Sequence, residues 1–386
     1  MSTTAFIADT IYTPNAIENG VVLVEDDRIL KAGSRESIEL PAGTREVRLA
    51  GQSIAPGYID IHNHGAGGAD VMEATAESFD TICRTLARFG TTSFYPTTGT
   101  ATTADIRRAV EFLADAVEHA SSPGAGSHPL GIHMEGPYLN PKRRGVHPID
   151  LLVDPTIEAY RYFAEAARGK LSIMTIAPEL RNAPELIEEM LRAGVRPSIG
   201  HTDATFEEAD RAVALGVRQA THMFNAMRPF GHRDPGVIGK VLTDPRVKAE
   251  LIADGVHVDP KAIELLYRAK GPDGIILISD GISAVGMPDG EYNVVGLRVE
   301  VKDGACTFEG HLAGSIVTLD RAVRNMTKFV GASPAEAIRM ATLNTAILMG
   351  VAGRKGQLTA GADADLVVLD AGLNVQQVHT RGLPVA

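Results

Sequence analysis

Five residues able to ligate a divalent metal stand at the ends of short apolar runs: His62 and His64, Glu135, His201 and His222. Side chains alternate along a strand, so His62 and His64 share a face. A bare His-x-His pair also fits two loop histidines with ordinary hydrogen bonds, and His201 alone is equally ambiguous. His222 is more telling, because Thr221-His222-Met223-Phe224-Asn225 sets polar groups among apolar ones. The recurrence of such residues at successive strand ends is what points to a metal. Imidazole and carboxylate are ligands for a borderline ion, zinc first, with iron, manganese or cobalt as alternatives. With only two cysteines, Cys83 and Cys306, a closed structural zinc site is not expected. In an open site the ion lowers the pKa of bound water from ~15.7 to roughly 7, giving a hydroxide nucleophile at neutral pH. Such chemistry needs a proton carrier. Asp280, in Ser279-Asp280-Gly281, suits a general base that later serves as acid; a helix cap or turn residue is the alternative.

Residues so far apart meet only if the intervening elements bring them to one place. From Pro56 onward, apolar runs end in polar residues and are followed by amphipathic segments, the mark of βα units. Strands are expected at Tyr58–His62, Thr91–Pro96, Leu130–Met134, Leu171–Ile176, Pro197–Ile199, Gln219–Thr221, Ala249–Ile252 and Ile275–Ile278. Helices are expected over Thr75–Phe89, stopped by Gly90, around Ile106–Val117, and over Pro184–Ala193. Others open at Thr205, with Glu208 completing a capping box, or cover Asp320–Val330 and Pro334–Leu348. This alternation predicts an α/β chain folded as a (β/α)8 TIM-type barrel, whose C-terminal rim gathers the strand ends. A doubly wound open sheet is the alternative, but Gly65-Ala66-Gly67-Gly68 does not fit its phosphate-binding glycine pattern.

Residues 1–55 read instead as short strands and turns, with two β-rich runs in Gly20–Lys31 around Asp26 and Asp27. After Gly353 the segment GQLTAGADADLVVLD is β-like again. A small β-sandwich domain formed by residues 1–55 and 353–386 is therefore expected, with the metal-dependent barrel of residues 56–352 inserted between them.

The bulk properties narrow the partners. The 386 residues carry a net charge of −11, from 37 basic and 48 acidic side chains, which argues against a general nucleic-acid surface. An anionic small molecule would need a local basic pocket. Two cysteines do not make a disulfide framework, and Cys83 falls on the apolar stripe of its helix as a buried thiol. MSTTAFIADTIYTPN lacks a basic region followed by a long apolar run, and no stretch approaches the ~20 apolar residues of a membrane span. No membrane association and a cytoplasmic placement are the expectations.

The segments around these residues resemble the amidohydrolase superfamily and, more closely, its N-acetylglucosamine-6-phosphate deacetylase family. Ala55-Pro56-Gly57-Tyr58-Ile59-Asp60-Ile61-His62, Gly356-Gln357-Leu358 and Ala364 to Asp370 carry the superfamily likeness. His133 to Tyr138, Gly145-Val146-His147, Ala177-Pro178-Glu179, Thr221 to Met227 and His311 to Ser315 carry the narrower one. The resemblance implies removal of an acetyl group from an amino-sugar phosphate, giving glucosamine 6-phosphate and acetate. By position it implies that Glu135, His201 and His222 are the shared metal ligands and Asp280 the catalytic acid/base. His62 and His64 match members with a second metal, so one or two ions per subunit are implied, with Glu135 as the bridge in the two-ion form. Asn225, Ala226, Arg233 and His257 look like sugar-phosphate contacts, with His147, Leu312 and Ala313 lining the same pocket.

The residue chemistry agrees at two of these positions. The forked guanidinium of Arg233 suits a phosphate, though a solvated loop arginine is the alternative. His257 follows strand 7, where barrels often hold phosphate, and a plain loop histidine is its alternative. Lys142, Arg143 and Arg144 read as a solvated basic run, with phosphate steering the lesser possibility. The resemblance also implies a homodimer, in which the loop Gly231–Pro235 could reach a neighbouring site. Two rival readings are a hydantoinase-like enzyme or N-acyl amino acid deacylase, and a non-catalytic homologue. The first often bridges its metals with a modified lysine where this chain has Glu135; the second has no need of Asp280.

Overall fold

In the computed structural model the described residues are 3–119, 122–294, 297–302, 304–308 and 311–385. Eight parallel strands run side by side in chain order: Tyr58–Asn63, Thr91–Thr98, Ile132–Glu135, Leu171–Ile176, Arg196–Ile199, Gln219–Ala220, Lys248–Leu251 and Ile275–Leu277. Tyr58–Asn63 and Thr91–Thr98 are buried at every position, as expected of parallel strands covered on both faces. The last strand returns to the first at its C-terminal end. There the Asp280 N–H donates to the His62 carbonyl at 2.9 Å, and Asn63 bridges Gly281. The result is a nearly closed TIM-type barrel.

The helical layer shows why local sequence sufficed in places. Thr75 caps Ala76–Arg88 by accepting from the Ser78 N–H, and Ile82, Cys83 and Leu86 face the core. Thr205 and Glu208 form the reciprocal capping box of Phe206–Leu215. The single helix expected over Pro334–Leu348 is instead two, Pro334–Met340 and Leu343–Met349. The break has a tertiary cause: the Ala341 carbonyl accepts from the Ile59 N–H of the first barrel strand at 2.8 Å rather than serving a continuous helix.

Between the last barrel strand and the helix Leu319–Val330 lies a four-stranded antiparallel sheet that the sequence reading did not anticipate. Its strands are Gly290–Val294, Leu297–Lys302, Ala305–Phe308 and His311–Leu312. Val299, Val301 and Cys306 pack with Ile282, Ala284 and Ala313 as a separate small core.

The ancillary sheet has seven strands from both ends of the chain, in the order Leu383–Pro384, Val375–Thr380, Leu366–Leu369, Arg45–Pro56, Thr3–Thr13, Asn15–Glu25, Arg28–Ser34. The N-terminal strands are longer than the short ones expected, reaching 12 residues in Arg45–Pro56. The turn between the second and third falls at Asp26 and Asp27. Alternation gives each face its own core, Phe6, Ala8, Val22 and Val24 on one side and Ala5, Val21 and Leu23 on the other. The sheet is tied to the barrel entrance, where the Gly57 N–H donates to the Asp365 carbonyl at 3.0 Å. Buried Lys355 pairs with Asp363 at 2.9 Å and Asp365 at 2.5 Å. Among the described residues no helix is long and apolar enough to cross a membrane.

Candidate metal centre

The barrel's C-terminal strand ends converge on Glu135. Its Oε1 lies 3.3 Å from His62 Nε2, 3.3 Å from His201 Nε2 and 3.1 Å from His222 Nε2. Its Oε2 lies 3.1 Å from His64 Nε2 and 3.5 Å from His147 Nε2. Asp280 Oδ1 closes the other side, 3.3 Å from His62 Nε2 and 3.5 Å from His64 Nε2. All are buried except Asp280, which is only slightly exposed.

Backbone shape aims three of these side chains. His201, His222 and Asp280 sit at φ of 47°, 29° and 47°, in the left-handed region that costs an ordinary residue about 1–2 kcal/mol. Such strain persists where the surroundings hold it, and here it accompanies the turn each chain segment makes on leaving its strand. Gly145 also has positive φ, 57°, and a Cβ there would lie 3.2 Å from His201 Cε1. The positive φ and the close approach of that loop to the ring together favour a glycine.

The donor set fits a divalent ion of the imidazole–carboxylate kind. Two overlapping groups have ligand atoms within 4.8 Å of one another: His62, His64, Glu135 and Asp280, and Glu135, His147 and His201. Glu135 is common to both. The outward ring nitrogens are mostly engaged, His201 Nδ1 with the Arg143 carbonyl at 2.8 Å and His147 Nδ1 with Thr100 Oγ1 at 2.8 Å. A carbonyl only accepts, so His201 carries its hydrogen on Nδ1 and turns the Nε2 lone pair inward. Nε2 atoms of His62 and His64 lie 3.2 Å apart, and those of His201 and His222 3.0 Å apart.

For the protein groups alone, the field is strongly polarised. Burial pulls the His62 imidazole down, but the Glu135 and Asp280 carboxylates hold it well above its usual value. His64 is likewise carried against burial to about 9 by Asp280 and Glu135, whereas burial dominates His201 and takes it to about 4. Burial would raise Asp280, yet the His62 charge and the His64 hydrogen bond keep it below the carboxylate range. Glu135 is also held well down, against burial, by the His62 charge and by the His147 and His222 ring nitrogens that face it. Both carboxylates are thus ionised at neutral pH.

Of the residues expected to meet substrate, some adjoin this centre. His147 is in it. Ala226 is tied to the strand end beside His201, its carbonyl accepting from the Thr202 N–H at 3.0 Å, and the Asn225 N–H donates to the His222 carbonyl at 3.0 Å. His257 is held by Asp254, Nδ1 to Oδ2 at 2.6 Å, which leaves its Nε2 for another partner. Ala313 is buried and Leu312 exposed, on the segment whose Ser315 N–H donates to the Asp280 carbonyl at 2.9 Å. Arg233 is not brought to the cluster by any described contact; it is exposed on the turn Gly231–Asp234.

Several polar residues beneath the site escaped sequence reasoning. Asp60 accepts from Ser279 Oγ at 2.5 Å and from the His62 N–H at 3.2 Å, and burial pushes its carboxyl up to about 6 against those bonds. Its signal was present, because Asp60, His62 and His64 alternate along one face. Glu250, wholly buried on Lys248–Leu251, reaches His62 Nδ1 at 3.4 Å. His133 bonds the Ile61 carbonyl at 3.0 Å and Thr175 Oγ1 at 2.8 Å. The basic run is also more than solvated: Arg143 pairs with Asp203 at 2.8 Å while its carbonyl holds His201.

Known proteins share this arrangement of chain. The profile of the amidohydrolase family matches residues 53–384. An N-acetylglucosamine-6-phosphate deacetylase of Lysinibacillus sphaericus is 40% identical over 341 residues, covering 88% of this chain and 87% of its own. An N-acetylgalactosamine-6-phosphate deacetylase of Escherichia coli O157:H7 is 38% identical over 348 residues, covering 90% of each. Among solved structures, a mutant N-acetyl-D-glucosamine-6-phosphate deacetylase of Mycobacterium smegmatis in complex with N-acetyl-D-glucosamine-6-phosphate superposes with a TM-score of 0.92 at 33% identity over all of both chains.

Proposed function

We infer from a chain that belongs to the amidohydrolase family, as a homologue of the N-acetylglucosamine-6-phosphate deacetylases, that it converts N-acetyl-D-glucosamine 6-phosphate to D-glucosamine 6-phosphate and acetate. The chain is a hydrolase, and its deacetylase homologues within the family act on amino-sugar phosphates. The observation that carries the specific reading is the Asp280 carboxylate set 3.3 Å from His62 Nε2 and 3.5 Å from His64 Nε2, beside Glu135, in a chain 40% identical to such a deacetylase.

Glu135, His201 and His222 would hold one ion and His62 and His64 a second, with Glu135 between them and zinc the first choice of metal. A bound divalent ion supplies an acidified water and polarises the amide carbonyl. The remaining work falls to the chain. Asp280 takes a proton from the attacking water and delivers it to the amine nitrogen as the C–N bond breaks. His147 donates to the oxygen on which negative charge develops. Asn225 and Ala226 orient the sugar, Leu312 and Ala313 border it, and His257 receives the phosphate, to which Arg233, exposed on its turn, would be added from a neighbouring subunit. A cytoplasmic homodimer is the setting this reading takes.

Acetate release from N-acetylglucosamine 6-phosphate, its unphosphorylated sugar and the galactosamine epimer tests the reading, with metal content measured on the same sample. Turnover restricted to the phosphorylated glucosamine substrate, by a metal-containing protein, is the expected result. The 38% identity to an N-acetylgalactosamine-6-phosphate deacetylase is the reason for the epimer arm, and preference for that epimer would replace the named substrate. No acetate from any of the three would sink the assignment.

A further inference from the structure

Glu250 has no role in the chemistry above, yet its surroundings are unusual. It is 0% exposed in the barrel interior, where an uncompensated carboxylate costs several kcal/mol. Among the described residues no lysine or arginine pairs with it, and its only ion-pair partner is the His62 ring. Its side chain receives three donors: His62 Nδ1 at 3.4 Å, the His222 N–H at 3.4 Å, and the Gln219 amide. Its own backbone carbonyl accepts from the Met223 N–H at 2.8 Å. The residue therefore touches one histidine from each side of the candidate centre and joins the strand ends that carry them.

We propose that Glu250 is the positioning residue for the His62 side of the centre, holding His62 as the Nδ1–H tautomer so that its Nε2 lone pair is available to a second divalent ion. The proposal rests on the metal reading given above. A carboxylate accepting from the outer nitrogen fixes both tautomer and ring orientation and raises the basicity of the inner nitrogen. It also accounts for the burial of Glu250: positive charge drawn to His62 Nε2 is relayed through the ring to the carboxylate behind it. His201 is oriented differently, by the neutral Arg143 carbonyl, and among the described residues His222 Nδ1 has no hydrogen-bond partner. The two halves of the centre are thus built unequally: Glu250 meets the ring of His62 but only the backbone of His222.

The test compares zinc bound per subunit, after equilibration at graded free zinc, in the wild type, Glu250→Gln and Glu250→Asp. Two zinc ions in the wild type, with one weakened about 10- to 100-fold in Glu250→Gln and partly rescued in Glu250→Asp, is the expected pattern. Equal weakening of both ions, or none, overturns the proposal. A wild type that binds one ion or none does so as well, and a wild type with none also removes the metal reading, which separates the two failures. Should the variants fail to fold, nitrogen-15 spectra of the zinc-loaded wild type decide: a protonated His62 Nδ1 is expected, and a protonated Nε2 overturns the assignment.

Discussion

At the scale of single residues, the candidate centre divides into groups that strand ends advertise and groups that strand interiors conceal. Asp280 belongs to the first kind. Asp280→Asn keeps the shape and the two hydrogen-bonding atoms but cannot take up a proton. Turnover should fall by at least about 10²- to 10⁴-fold, with zinc and substrate binding little changed in equilibrium measurements. Retained activity would remove it from the role of base. Gly145→Ala should act through His201, because a Cβ at positive φ would press within 3.2 Å of the ring. We expect weaker zinc binding in a folded protein, read by metal titration beside circular dichroism. His62, His64, Glu135, His201, His222 and Asp280 were legible because each interrupts or ends an apolar run. Glu250 was not, since a single carboxylate in Lys-Ala-Glu-Leu looks like any half-exposed strand residue. Only the three-dimensional pairing with Gln219 and His62 reveals it.

At the scale of elements, periodicity identified what was locally determined and missed what was imposed from elsewhere. The helix opening at Thr205 could be read because its capping box lies within four residues, and Thr205→Ala should lower stability by about 1 kcal/mol, measured by urea unfolding. The break at Ala341–Thr342 could not, since the competing donor is the Ile59 N–H, nearly the whole barrel away in sequence. The antiparallel sheet after Asp280 was overlooked for another reason. Its strands are short, and in Arg-Val-Glu-Val the inward positions are Val299 and Val301, too brief a two-residue alternation to stand out. Yet this insertion supplies Leu312 and Ala313 beside Asp280.

At the scale of the whole molecule, the join between barrel and ancillary sheet concentrates charge. Lys355→Met would take the buried ammonium from Asp363 and Asp365; Asp363 keeps Arg354 and Arg28 and Asp365 keeps the Arg381 N–H, so the cost should be about 3 kcal/mol in chemical denaturation. His128 lies in the same field. Burial, then Lys355 and Arg381, depress its imidazole to about 4. The folded protein therefore refuses a proton that the unfolded chain accepts near pH 6.5. The contribution is intact above that pH and is lost as pH falls from about 6.5 toward 4. Between pH 7.5 and 5, the wild type should lose on the order of 1 kcal/mol more stability than His128→Gln, allowing for partial exposure. The barrel could be read from eight strand-then-helix units, whereas the exact partners within the seven-stranded sheet follow from pairings no local pattern encodes.

That sheet also sets an order on the making of the protein. Arg45–Pro56 has Thr3–Thr13 on one side, but its other neighbour, Leu366–Leu369, is synthesised some 310 residues later, Leu366 meeting Pro56. Until the ribosome has released that segment, Ser53 to Pro56 present an open edge of amides and carbonyls, a template for pairing with another nascent chain. The early sheet cannot be completed during elongation. A frameshift or stop codon anywhere before codon 366 would therefore yield a product inclined to stick to its siblings, even with every residue of the metal cluster already in place.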